Sequence, residues 1–373
     1  MEKAYLQRII SVYGEMEKKG ISCMLITPGP DMKYLTGYSL WADERLLAVV
    51  ISPGHTPFLI ANKLYGQSLA EVPYKDIIYW TDTENPYFML KQEIENRGIF
   101  MECLAVDDTM SARLLIPVLQ LFPQARIVLA SEILAKLRLY KDRYEMEAMR
   151  TACRKASEAL RITMSKGRYW IGHTENELAD ALCSEMARQG LSYGSASVCC
   201  QTNAAEPHHL HDETVIRDNT CVMIDFGSTY KNYCTDMTRT FYFGDPDEEF
   251  VKVYQVVNEA REAGIAAAKV GNTLGEVDDA ARGVIESYGY GQYFTHRTGH
   301  GIGINNHEGP SAQSGEATPI AIGMAFSVEP GIYIPGKFGI RIEDQILIDE
   351  EGNTTKLHDF PTELQIYSKT ENL

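Results

Sequence analysis

Between residues 220 and 348 the chain carries two pairs of carboxylates, Asp225 with Asp236 and Glu329 with Glu343, and between the pairs an imidazole, His300, set among glycines. The first pair lies in TCVMIDFGSTYKNYCTDMTRTFYF (220–243), two strand-like runs flanking a turn near Tyr230–Lys231. A turn centred there puts Asp225 directly opposite Asp236, because opposed residues of an antiparallel hairpin share a face. The second pair lies in MAFSVEPGIYIPGKFGIRIEDQILI (324–348), where a turn around Pro335–Gly336 opposes Glu329 and Glu343. Facing carboxylates repel strongly unless a cation lies between them. Aspartate is also disfavoured inside strands. Exposed strand carboxylates in surface ion pairs would account for any one of these residues, but not for two acidic hairpins.

The fifth donor stands in THRTGHGIGINNHEGP (295–310). His296 and His300 have the spacing of a helical zinc pair, but the surrounding glycines disfavour a helix. GHGIG lacks the full pattern of a phosphate loop and leads into no helix. His208, His209 and His211, in PHHLHDE, form a second imidazole cluster that reads as ligands, solvated loop or substrate contacts, with His209 and His211 taken as loop. One imidazole with four carboxylates is an oxygen-rich set that suits Mn²⁺, Co²⁺, Fe²⁺ or Zn²⁺ better than a thiolate-bound structural zinc. Bridging carboxylates hold two ions roughly 3.5–4 Å apart, which makes hydroxide available near neutral pH and polarises a carbonyl. Hydrolysis of an amide or ester follows.

Something must bring two distant hairpins together, and the sequence contains a repeat that does so. GHTENELADALCSEMARQG (172–190) and GNTLGEVDDAARGVIESYG (271–289) align at a constant offset of 99, and both open with the Thr-x-x-Glu box that starts a helix. A long Ala-rich helix precedes each copy and strands follow each. The expectation is a duplicated helix–helix–sheet unit about a pseudo-twofold axis, each half contributing one acidic hairpin to a curved antiparallel sheet. Residues 132–164 read as one helix ended by Gly167. Before them, strands at 23–27, 46–52, 57–61 and 126–131 alternate with helices at 3–19, 65–72 and 87–97, a small α/β domain. The domains are read as 1–132 and 133–373.

The length of 373 residues suits two domains. A net charge of −16 argues against nucleic acid as a ligand. No apolar run approaches ~20 residues, so no membrane span is expected. The amphipathic N-terminus has no signal-peptide pattern. Eight cysteines without a C-x-x-C pair read as buried thiols of a reducing cytosol, with a redox role for the vicinal Cys199–Cys200 as the lesser alternative.

IDFG (224–227) with DMTRT (236–240), HRTGHGIG followed by HEGP (296–310), and VEPG with GIRIED around Glu329 and Glu343 resemble the motifs of the pita-bread metallopeptidases: prolidase, aminopeptidase P and methionine aminopeptidase. YLTGY (34–38) and ERLL (44–47) resemble the N-terminal domain of prolidases, aminopeptidases P and creatinases. The whole is most similar to bacterial Xaa-Pro dipeptidases. The resemblance implies that Asp225 chelates one metal, Asp236 and Glu343 bridge two, and His300 and Glu329 bind the other. It gives Glu329 the proton transfer, His208 and His307 the substrate and oxyanion, and Arg341 the support of the carboxylates. It implies a homodimer acting on small peptides, with manganese the expected metal. At least one of Arg297 and Arg45 is expected at the carboxylate of an Xaa-Pro dipeptide, with local pairing to Asp43 or Glu44 the alternative for Arg45 and a purely structural role the alternative for Arg297. The runner-up reading is an aminopeptidase P acting on longer peptides, followed by a hydrolase of a non-peptide amide. Creatinase and non-enzymatic relatives lack the full ligand set that is intact here.

Overall fold

The computed structural model describes residues 2–38, 40–41 and 43–369. The chain divides into two compact units, Met1–Arg138 and Leu139–Leu373, so the second unit opens at Leu139 rather than at residue 133.

In the first unit the elements run α1 (Glu2–Lys19), β1 (Cys23–Ile26), α2 (Pro30–Thr36), β2 (Ala48–Ile51), β3 (Phe58–Asn62), β4 (Ile77–Trp80), α3 (Pro86–Asn96), β5 (Cys103–Val106), α4 (Ala112–Leu121), β6 (Arg126–Leu129) and α5 (Ser131–Leu139). They build a six-stranded mixed sheet in the order β4-β3-β2-β1-β5-β6. Residues 65–72, expected as helix, form only the end of a 3₁₀ turn and further turns.

The second unit continues with α6 (Arg143–Met164), α7 (Glu175–Arg188), β7 (Ser192–Cys200), β8 (Thr220–Tyr230), β9 (Tyr233–Phe243), α8 (Glu248–Ala267) and α9 (Leu274–Ser287). It ends with β10 (Gly299–Gly301), β11 (Glu308–Ala312), β12 (Ala325–Val328), β13 (Gly331–Ile334), β14 (Phe338–Arg341), β15 (Asp344–Ile348), β16 (Thr354–Lys356) and β17 (Gln365–Tyr367). The expected continuous helix over 132–164 is broken at residues 140–142. Asp142 caps α6 through a box with Glu145, and the Lys141 amide leaves for the Gly323 carbonyl. The strands form three hydrogen-bonded parts, β17-β9-β8-β7, β13-β14 and β11-β10-β12-β15-β16, antiparallel throughout except that β17 runs parallel to β9.

The duplication is present in the hydrogen bonds. Thr174 and Thr273 each cap a helix with a complete box, to Glu177 and Glu276. Gly172 and Gly271 both stand at φ 95, a left-handed value that favours glycine. Their amides donate to Ile216 and Ile320, and the amides of Glu175 and Leu274 donate to Thr214 and Thr318. One core packs α6 and α7 on β8 and β9 through Val222, Ile224 and Phe226. Another packs α8 and α9 against β13 and β14 and the other face of β8, through Cys221 and Met223. Asp225 continues that second face.

Equivalent caps make equivalent contributions. Thr174→Ala and Thr273→Ala are each expected to lower unfolding stability by about 1 kcal/mol. Denaturant titration checks this; a loss at one position and none at the other contradicts the equivalence of the halves.

Candidate functional site

The two-residue loop of the β8–β9 hairpin is Lys231–Asn232, both at positive φ, 49 and 72. This is the type I′ geometry that matches strand twist. It moves the turn one residue beyond the expected centre. Asp225 therefore pairs with Thr238, and Asp236 with Gly227, instead of with each other. The two aspartates are diagonal neighbours. They still share a face, because a pairing shift of two residues preserves the alternation of sides.

The second hairpin keeps the expected register. β12 pairs β15 with Val328 opposite Asp344, and β13 pairs β14 with Gly331 opposite Arg341. Between these ladders, at Glu329–Pro330 and Ile342–Glu343, the ribbon loosens to one long bond, from the Ile342 amide to the Pro330 carbonyl (3.5 Å). The Glu329 amide donates to the Thr298 carbonyl (2.8 Å) and the Glu343 amide to Thr238 of the other hairpin (3.0 Å). The acidic pair thus sits where one strand pair changes partners. Arg239 closes the same seam from behind. It donates to the carbonyls of Thr238 and Glu343 and to Asp344 Oδ1 (2.7 Å), while Arg261 binds the other Asp344 oxygen.

His300 lies on β10. A Cβ at the preceding Gly299 would fall 1.9 Å from the Ser327 carbonyl oxygen, so only glycine lets this strand approach β12. His300 Nδ1–H donates to the Gly301 carbonyl (3.0 Å), which leaves the Nε2 lone pair facing Glu329 Oε1 at 3.3 Å and Asp236 Oδ2 at 3.6 Å. A backbone carbonyl fixing the far nitrogen is the usual way a ligand imidazole is oriented.

Donor atoms of Asp225, Asp236 and Glu343 lie within 4.8 Å of one another, as do those of His300, Glu329 and Glu343. The two groups share Glu343. All five predicted ligands are therefore brought together. Glu343 is 1% exposed; its Oε2 accepts from Thr238 Oγ1 (2.8 Å), but its Oε1 has no hydrogen-bond partner among the described residues. Burial, with the charges of Asp236 and Glu329 adding, holds Glu343 well above the usual carboxylate range. Burial and then Asp225 and Glu329 raise Asp236. Burial, with Asp225 adding and Arg341 opposing, pushes Glu329 up to about 7. Burial, then the neighbouring His307, lowers His300 to about 4, so it is neutral and able to ligate. An orphaned buried carboxylate oxygen, mutually repelling acids and an oriented neutral imidazole fit a pair of divalent cations.

A cleft of ≈ 920 Å³ opens on this cluster, lined also by His208, Arg297, Asn306, His307 and Arg341. Arg341 joins Asp225 (2.7 Å), Tyr333 (2.8 Å) and Thr238 (3.1 Å), the supporting position expected of it. Arg297 donates to Ser311 (2.9 Å) and reaches His307 Nδ1 at 3.5 Å. Arg45, in the first unit, is held by Asp82 through two bonds of 2.9 and 3.0 Å and by Asp43 and Glu44, the local pairing that was its alternative. His209 pairs with Glu206 and Asp212, and neither it nor His211 lines the cleft. Four contributors escaped sequence reasoning. Asn306 donates to Asp236 Oδ2 (2.8 Å), Ser327 to Glu329 (3.0 Å), Thr238 serves Glu343, and Tyr333 bridges Arg341 and His296. Ser327 and Thr238 each stand two residues from a predicted ligand, Glu329 and Asp236, a signal that was available.

Compared with known proteins, residues 147–350 match the model of metallopeptidase family M24, and residues 8–140 match the Creatinase/Prolidase N-terminal domain. The chain is 32% identical to the probable dipeptidase PepE of Mycobacterium tuberculosis, over 97% of this chain and 96% of that one. A crystal structure of recombinant prolidase from Thermococcus sibiricus superposes with a TM-score of 0.92 at 34% identity, over 97% of this chain and 99% of that one. An X-Pro aminopeptidase from Thermotoga maritima gives a TM-score of 0.84 at 29% identity, over 96% and 99%.

The cluster predicts an inversion of stability. In metal-free protein, Glu343→Gln keeps the bond from Thr238 and turns its amide toward the remaining acids, so it is expected to stabilise the fold by roughly 1 to 3 kcal/mol while abolishing metal uptake. Because the native pKa is raised, the wild-type acid contributes most stability below the ordinary glutamate pKa and loses it as pH rises through the raised value. The gain from Gln is therefore larger at pH 8 than at pH 5. Thermal melts with elemental analysis check it; a gain absent at pH 8 or undiminished metal content contradicts the ligand assignment.

Proposed function

The chain belongs to metallopeptidase family M24, and from that premise we propose that it hydrolyses the bond before proline in Xaa-Pro dipeptides. The observation that carries this reading is the pair of donor groups sharing Glu343 at the floor of a cleft whose wall presents a guanidinium, Arg297. The relatives' names, dipeptidase and prolidase, support the same substrate class.

Asp225, Asp236, His300, Glu329 and Glu343 would hold two divalent ions. Bound there, such ions would lower the pKa of water and polarise the scissile carbonyl. Manganese suits the oxygen-rich set. The chain's own residues do the rest. Arg341 orients Asp225 from behind, and Ser327 orients Glu329. Glu329 carries the proton from the attacking water to the leaving nitrogen, a role open to a carboxylate whose pKa its surroundings can move toward neutrality. Burial, then Arg297, lowers the pKa of His307, which is neutral at pH 7. Arg297 can only donate, so His307 Nδ1 accepts and its Nε2–H is left to donate to the oxyanion that develops on the carbonyl. His208 faces the same cleft and shares that work. Arg297 receives the substrate's terminal carboxylate.

The cleft volume of ≈ 920 Å³ favours a second reading. It lies near the top of the range for ligand pockets and leaves space beyond a dipeptide. The likeness to the Thermotoga X-Pro aminopeptidase agrees with that alternative. No helix among the described residues is long and apolar enough to cross a membrane. Eight free thiols favour a reducing compartment such as the cytosol, and a homodimer is the expected assembly.

Assays on Xaa-Pro dipeptides, amidated dipeptides and Xaa-Pro-Xaa tripeptides test the proposal. Arg297→Ala is expected to raise KM for the dipeptide about 10-fold or more while leaving KM for the amidated analogue unchanged; kcat, which its bond to His307 supports, should fall on both. Equal rises in KM on both reject carboxylate recognition by Arg297, and efficient tripeptide cleavage by the unmodified protein selects the aminopeptidase reading. Glu329→Gln is expected to lower kcat by about 10²–10⁴-fold. His307→Ala should lower kcat more than it raises KM; an unchanged kcat removes His307 from the chemistry.

A further inference from the structure

Glu175 is a buried carboxylate that the chemistry above does not use. It opens α7 directly after the Thr174 cap and is 0% exposed. Its oxygens are saturated. Oε1 accepts from the Cys200 amide (2.5 Å), Oε2 from the Asp212 amide (3.1 Å), and both from Asn203 Nδ2 (3.1 and 3.2 Å). Donor atoms of Glu175, His209 and Asp212 also lie close enough to surround an ion. A carboxylate already holding four hydrogen bonds from three donors is anchoring protein, unlike Glu343 with its orphaned oxygen.

What it anchors is the segment that carries His208. Cys200 ends β7 and Asp212 stands past the imidazole cluster, so Glu175 ties the two ends of 200–212 to one point. The middle of the segment is tied at the cleft. Arg341 donates to the Pro207 carbonyl (3.3 Å) and Ser197 to the His209 carbonyl (2.6 Å). His208 lies between those two bonds and lines the cleft.

The internal repeat supplies a control. At the same place in the second copy, after an identical Thr cap, stands Leu274, 1% exposed. Its amide makes the same bond, to Thr318 instead of Thr214. The helix start and its packing therefore need no carboxylate. The carboxylate of the first copy serves the segment it bonds, 200–212.

We propose that Glu175 is the positioning residue for His208, its carboxylate clamping both ends of 200–212 and so setting where that imidazole stands in the cleft. This rests on the peptidase reading for its kinetic readout. The His208 ring resonance, assigned by its absence in His208→Ala, provides a readout that does not.

The experiment is a double-mutant cycle of Glu175→Gln with His208→Ala, on metal-loaded protein with an Xaa-Pro dipeptide. Glu175→Gln should lower kcat about 10-fold or more, with KM within about 3-fold and metal content unchanged. In the His208→Ala background the same change should cost less than about 2-fold, since residues acting as a unit are not additive. The His208 resonance should shift or broaden in Glu175→Gln while that of His307 stays. Asn203→Ala, which removes a clamp partner from the loop side, should reproduce the pattern and carries the test if Glu175→Gln does not fold. Additive losses, metal content falling in step with activity, or an unmoved His208 resonance overturns the proposal. Wild-type protein that leaves Xaa-Pro dipeptides uncleaved overturns the peptidase reading instead, and the resonance then decides the role of Glu175.

Discussion

Carboxylates that lie within ligand distance of one another in a nearly dry place cannot all be ionised without positive charge among them. The second unit is organised around this constraint. It assembles Asp225, Asp236, Glu329 and Glu343 at one floor, and much of the surrounding structure resists their repulsion. Arg341 neutralises one flank through Asp225. Arg239 and Arg261, at 2% and 0% exposure, converge on Asp344 and on the backbone beside Glu343, where the two hairpins meet. Their hydrogen bonds among the described residues go to other groups than the predicted ligands' side chains. They hold the seam shut so that the acids stay close, and leave the remaining charge to be met by cations.

The duplication explains how such an arrangement can be reached. Each half is a capped helix pair on a hairpin, the two cores meeting on opposite faces of β8, and each needs only one or two acids at a bend or on an inner face. The strain appears only when the halves close on one another. The copies have then diverged. Leu274 answers Glu175, and the second copy brings His300 to the floor on a three-residue strand that only glycines permit.

Much of this is legible in the sequence, for reasons that differ between residues. Which face each aspartate occupies follows from alternation alone and survives an error of two residues in register. The register itself depended on recognising Lys231–Asn232 as a left-handed pair, and lysine there gives no compositional signal. Pro335–Gly336 marks its turn, and that hairpin pairs as expected. The break before α6 was readable too, in the Asp142-x-x-Glu145 cap, but the helical pattern on both sides masked it. Asn306, Tyr333, Arg261 and Asp344 act through partners many residues away, and no local pattern announces such contacts. Arg45 likewise bonds Asp82, 37 residues on, a partner outside its local motif.

Whether the acidic floor takes up cations in its own right is decided by calorimetric titration of metal-stripped protein with Mn²⁺, repeated in buffers of different ionisation enthalpy. Two ions should bind per chain with proton release near pH 7, because acids held partly protonated by burial and mutual repulsion must ionise as ligands. The unfolding temperature should rise on loading. Binding without proton release, or a stoichiometry unaffected by Asp236→Asn, would contradict a cation site built from these acids.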